Sequence, residues 1–131
     1  MEKLDDLLST AERAFASLLK LVGREDADDV VQDAAIQRFE YTLEAVWKTC
    51  QELIRQTGVP VASPKGTIRY ARDLGVLEDG DAEVAIAMID ARNLTTHTYN
   101  EELARDLYPR LPEFCAVIRR WLDAMIGRRS L

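Results

Sequence analysis

Along this chain apolar residues recur every three or four positions, and no segment alternates with period two. That period belongs to helices that bury one face, not to strands. The first stripe, from Leu4 through Leu8, Ala11, Phe15 and Leu18 to Val22, predicts a helix over 2–22, with Gly23 as its stop and the acidic stretch 24–29 as a turn. A longer stripe, running from Ala35 through Phe39, Leu43, Val46, Trp47 and Cys50 to Ile54, predicts a second helix over 29–57. Gly58 ends it and Pro60 forbids its continuation. Ser63, followed by Pro64, predicts a cap and first position for a short third helix that reaches Leu74 and halts at Gly75.

After a turn at Leu77–Gly80, a fourth helix is expected from about Asp81, with Ala85, Met88 and Ile89 inward. It should weaken at Thr95 and Thr96, because threonine is a mediocre helix former. Asn100 can cap a fifth helical stretch, which Pro109 and Pro112 should kink or split before the stripe Leu111, Phe114, Ile118, Trp121, Leu122 and Met125. The expected fold is all-α: an antiparallel up-down four-helix bundle with an extra short helix, spanning 1–131 as one domain. Ile36 and Tyr41 lie off the stripe of the second helix. A single bundle need not cover them, which points to a homodimer.

Composition narrows the picture. With 47% hydrophobic and 31% charged residues in 131, the chain can bury a sizeable core without staples. Cys50 and Cys115 sit in apolar-patterned helices and read as small core residues. Together with a single histidine they cannot supply a four-ligand zinc site, so no metal or cofactor is expected. Neither a leader-like start nor a membrane-length apolar run is present, so the expected compartment is cytoplasmic, with no membrane contact.

The net charge of −6 argues against a general nucleic-acid binder, but residues 109–131 carry five bases and two acids. Lys65, Arg69 and Arg72 recur at i, i+4 and i+7 and so share a helix face. With Arg119 and Arg120 they are expected to contact RNA or a protein partner. A solvated basic face is the alternative.

Chemistry concentrates in one segment, Arg92-Asn93-Leu94-Thr95-Thr96-His97-Thr98-Tyr99-Asn100, which holds the chain's only histidine. Arginine can clamp phosphate with its fork, and histidine exchanges protons near neutral pH. The pair suits metal-free phosphodiester cleavage by a ribose 2′-hydroxyl, with His97 moving the proton and Arg92 steadying the charge that develops on phosphorus. Residues five apart on a regular helix stand about 140° apart around its axis, so one helix cannot aim both at one point, whereas two copies across a two-fold axis can. In the plainer alternative the segment is only a helix end, with His97 on last-turn carbonyls and Arg92 paired with Asp90 or Glu101.

Arg92, four residues, His97, one residue and Tyr99 together resemble the signature of HEPN proteins in bacterial and archaeal toxin–antitoxin pairs. Asn93, directly after the arginine as is common in HEPN nucleases, and Thr96 stand as supporting residues. The flanks Ala87–Ala91 and Glu101–Ala104, the stretch Ser63–Leu77, the length and the helix order all resemble nucleotidyltransferase substrate-binding subunits of that group. The resemblance implies a four-helix bundle, usually a homodimer, acting beside a minimal nucleotidyltransferase (the antitoxin). It also implies that Arg92 and His97 form a metal-independent ribonuclease site at a dimer cleft, and that Tyr99 is the residue the partner adenylylates to silence it. The same resemblance carries an alternative, a non-catalytic subunit that presents substrate to that enzyme, as the helical domain of kanamycin nucleotidyltransferase does. A helical dimer with neither role is the third.

Overall fold

The computed structural model describes residues 2–129. It consists of α1 (Glu2–Leu19), α2 (Asp29–Arg55), α3 (Pro64–Asp73), α4 (Asp79–His97), α5 (Glu101–Leu107) and α6 (Leu111–Arg129), with a 3-10 turn at Tyr108–Arg110. No strand occurs among the described residues. The helices begin where side chains can satisfy free backbone N–H groups. Asp28 accepts from Val31 N at 2.9 Å, Ser63 from Gly66 N at 3.0 Å and Asn100 from Leu103 N at 2.8 Å. Gly58 and Gly75, at φ 92° and 81°, take the left-handed conformation that lets the chain leave α2 and α3 without strain.

Two expectations are corrected. α1 ends at Leu19, and 20–23 form a turn. Tyr108 secures that turn: its hydroxyl donates to Leu21 O at 2.5 Å and accepts from Arg24 N at 3.2 Å. The fourth helix does not weaken at the threonines; it runs on to His97. Thr95 is 3% exposed, and its hydroxyl reaches Glu40 of α2 at 2.7 Å, so a tertiary contact offsets a poor local propensity. The prolines split the last stretch as expected. Pro109 lies in the 3-10 turn and Pro112 in the first turn of α6, where a missing N–H leaves nothing unsatisfied. The short helices are therefore α3 and α5, set against an up-down bundle of α1, α2, α4 and α6.

The core is continuous across all six helices, with Phe15, Phe39, Leu43, Phe114 and Trp121 fully buried. The rings of Phe39 and Phe114 stack with centroids 5.5 Å apart, an arrangement worth about 1 kcal/mol beyond the area it buries. α2 packs against every other helix. That centrality buries Ile36 to 1% exposure although it lies off the stripe, so Ile36 lends nothing to a dimer surface. Tyr41 stays 46% exposed, its hydroxyl 2.8 Å from Ser17 Oγ. Both cysteines are buried free thiols, and burial pushes each up to about 11. No helix among the described residues is long and apolar enough to cross a membrane.

Candidate functional site

Where α2 passes the C-terminal half of α4 it presents Asp33, Gln37, Glu40, Tyr41 and Glu44, residues whose spacing places them on neighbouring rows of one helix side. Three of these carboxylates each hold one part of the motif. Arg92 Nη1 donates to Glu44 Oε2 at 2.8 Å. The same oxygen accepts from Trp47 Nε1 at 3.0 Å, and Lys48 Nζ lies 3.1 Å from the other. Burial opposes the charge on Glu44. The hydrogen bonds from Trp47 and Lys48 and the charges of Lys48 and Arg92 outweigh it and hold the carboxyl below the ordinary carboxylate range.

Arg92 is half-buried, and its Nε is enclosed with no partner, so the fork retains a donor beyond the Glu44 pair. Glu40 Oε2 lies 2.7 Å from Thr95 Oγ1 and 3.3 Å from Thr96 Oγ1. Each threonine hydroxyl also lies within 3.0 Å of Arg92 O, so one proton serves two acceptors.

Beyond α4 the backbone leaves the helix at Thr98 (φ −145°, ψ 63°), and the Tyr99 hydroxyl donates to Asp33 Oδ1. Burial, the Asp33 hydrogen bond and the charges of Asp33, Glu40 and Asp29 push the phenol far above its usual value, so it is protonated at every physiological pH. His97 is the last residue of α4; its side chain is exposed and makes no hydrogen bond among the described residues.

An open cavity of about 360 Å³ lies over this face, lined by Gln37, Glu40, Tyr41, Glu44, Arg92 and Thr96. Arg92 and Thr96 thus share a cavity, while His97 and Tyr99 stand outside its lining. No hydrogen bond joins Arg92 to His97, as the angular separation on a regular helix requires. Nor does Arg92 pair with Asp90 or Glu101, as a simple helix end would have it. Asp90 takes Lys65 at 2.6 Å, and Glu101 faces Arg105 at 4.0 Å.

Several of the basic positions are engaged by acids of this chain. Arg119 bridges Glu12 at 2.5 Å and Asp123 at 2.8 Å, and Arg120 grips Asp81 with two bonds of 2.8 and 2.9 Å. Arg72 lies 3.6 Å from Asp73, and Arg69 is exposed. Sequence reasoning missed Asp33, Glu40 and Glu44. The available signal was three acids at i, i+7 and i+11 on a helix otherwise patterned for burial. Among the described residues no cluster of His, Cys, Asp or Glu is arranged to hold a metal.

With this geometry in place, comparison with known proteins adds a family. The family described as "Nucleotidyltransferase substrate binding protein like" matches residues 6–126. A protein of Haemophilus influenzae named "Probable ribonuclease HepT" is 31% identical over 94 residues, covering 65% of this chain and 63% of that one. The chain therefore matches somewhat under two thirds of that relative's length. A solved structure from Thermus thermophilus is 49% identical, with a TM-score of 0.83 over 88% of this chain and 98% of that one. A chain of the complex of a tri-AMPylated Shewanella oneidensis HEPN toxin with its MNT antitoxin is 14% identical. It superposes with a TM-score of 0.77 over 95% of this chain and 96% of the other, which shows a shared fold.

Proposed function

Because the chain belongs to the family of nucleotidyltransferase-substrate-binding-like proteins, we propose that it is the HEPN partner of a minimal nucleotidyltransferase. In this reading it cleaves RNA without a metal until the partner adenylylates Tyr99. The observation that carries the reading is the placement of Arg92: an interhelical ion pair with Glu44 holds it half-buried in the wall of an open cavity. A guanidinium so placed suits a phosphate that enters from solvent. His97 supplies the proton carrier at the end of the same helix. A second copy of the chain across a two-fold axis brings one protomer's His97 towards the other's Arg92, making the composite cleft one helix cannot make.

In that cleft the ribose 2′-oxygen bonds to phosphorus and the P–O5′ bond breaks, leaving a cyclic phosphate and a 5′-hydroxyl. His97 takes the nucleophile's proton or returns one to the leaving oxygen, and Arg92 balances the charge on the phosphorane oxygens. Adenylylation of Tyr99, two residues from His97, adds a bulky anion that fills the cleft and repels RNA phosphate. One observation favours the second reading, a non-catalytic substrate-binding subunit: the motif faces Asp29, Asp33 and Glu40 of α2, an acidic wall unusual for an RNA-cutting surface. The deciding experiment incubates the chain with RNA and chelator, with and without His97→Ala. Cleavage by the unaltered chain that the variant loses supports the nuclease; no cleavage by either above a protein-free control leaves the binding subunit.

A further inference from the structure

Tyr99 and Asp33 stand 66 positions apart in sequence, yet one hydrogen bond joins them, from the phenol to the carboxylate. The phenol donates its only proton, so both lone pairs of Oη remain uncommitted. Tyr99 is 46% exposed and Asp33 is exposed, so a partner enzyme can reach the pair. A phenol that is to attack phosphorus must shed its proton, and this one cannot do so unaided at neutral pH. The charged groups facing it are Asp29, Asp33 and Glu40, all from α2. Glu40 is engaged by Thr95 and Thr96, and Asp29 makes no hydrogen bond to the phenol, which leaves Asp33 as the one acceptor in place.

We propose that Asp33 is the proton acceptor for adenylyl transfer to Tyr99, a step that rests on the reading of Tyr99 as the modified residue. As Tyr99 Oη bonds to the α-phosphorus of ATP, the bond from that phosphorus to the bridging oxygen breaks and pyrophosphate leaves. The phenolic proton passes to Asp33 Oδ1 and then to water. The chain thus carries part of the chemistry of its own silencing and is more than a passive substrate. Once modified, Tyr99 has no proton to donate, and its new phosphate faces three carboxylates. The side chain then leaves α2.

The test uses the chain in complex with its cognate nucleotidyltransferase and magnesium ATP, following AMP addition to Tyr99 by mass. Asp33→Asn should slow addition by roughly 100-fold or more, the range of a lost general base. Its remaining rate should climb about tenfold per pH unit as solvent hydroxide substitutes, whereas the unaltered chain stays nearly flat from about pH 7 to 9. Asp33→Glu, which keeps a carboxylate, should recover much of the rate. Addition to Asp33→Asn at the unaltered rate and pH profile overturns the assignment while Tyr99 remains the modified residue. A slow Asp33→Asn with an unaltered profile and no rescue by Asp33→Glu also overturns it, reducing Asp33 to a positioning residue. Absence of AMP on Tyr99 in the unaltered complex overturns the modification itself, and the proposal with it.

Discussion

α2 meets α1 and α6 along one side and the motif of α4 along another, and the two contacts are built from opposite materials. On the first side Phe39, Leu43, Val46 and Cys50 show no exposed surface, and Phe39 stacks on Phe114. On the second, Asp33, Glu40 and Glu44 hold Tyr99, Thr95, Thr96 and Arg92 by hydrogen bonds at the rim of solvent. Apolar burial is non-directional and additive with area, so the first side sets the shape and most of the stability. Hydrogen bonds exchange against water and contribute little net, but they fix orientation, which is what the proposed phosphate clamp and modified phenol need. One helix therefore separates stability from chemistry by direction around its axis.

Substitutions can break or sharpen that contrast. The largest effect belongs to the polar side: His97→Ala and Arg92→Ala should each cut RNA cleavage by roughly 100- to 10,000-fold. Helical circular dichroism should stay where it was in both; the melting temperature should hold for exposed His97→Ala and fall only slightly for Arg92→Ala, which gives up its pair with Glu44. A matching fall in melting temperature would merge the two sides. Next comes the apolar side. Trp121→Ala removes a fully buried ring and should cost about 3–5 kcal/mol in urea unfolding. A mild effect there would place the core elsewhere.

A smaller effect is tied to pH. The folded thiols of Cys50 and Cys115 titrate near 11 against 9.0 in the open chain. Between those values the unfolded chain releases protons that the folded one keeps, so stability is full below about pH 9 and falls as pH rises towards 11. The loss should be on the order of 2–3 kcal/mol per thiol. Cys50→Ala should flatten that limb in denaturant titrations run from about pH 8 to 11. The smallest change should follow Arg120→Ala. Its bidentate pair with Asp81 is exposed on the arginine side, and the melting temperature should fall only slightly.

Helix number, order and caps were readable from local pattern because each depends on near neighbours: a Ser or Asn before a first turn, a glycine after a last one, a proline inside. The persistence of α4 past Thr95 was not readable. Its cause, Glu40, lies 55 residues away and acts only once α2 and α4 are packed. The same distance hid half of the site. Arg92, His97 and Tyr99 fall in one motif and could be picked out along the line of the chain. Asp33 and Glu44 lie 66 and 48 positions from their partners and carry no local mark beyond an acidic residue on a helix. The partners of the basic positions were hidden for a related reason: Glu12 and Asp81 lie far along the chain from Arg119 and Arg120 and meet them only in the fold.

By itself, then, the sequence determined an all-helical bundle, its punctuation and the Arg92, His97 and Tyr99 motif at the end of its fourth helix, since the period of apolar residues and the chemistry of caps and breaks act within a few positions. Tertiary structure alone decided which carboxylate holds Arg92, which one receives the Tyr99 hydroxyl, and why Ile36 is buried while Tyr41 is not. Those outcomes depend on the direction each helix side faces after packing, and a polar group's partner is chosen by proximity in space.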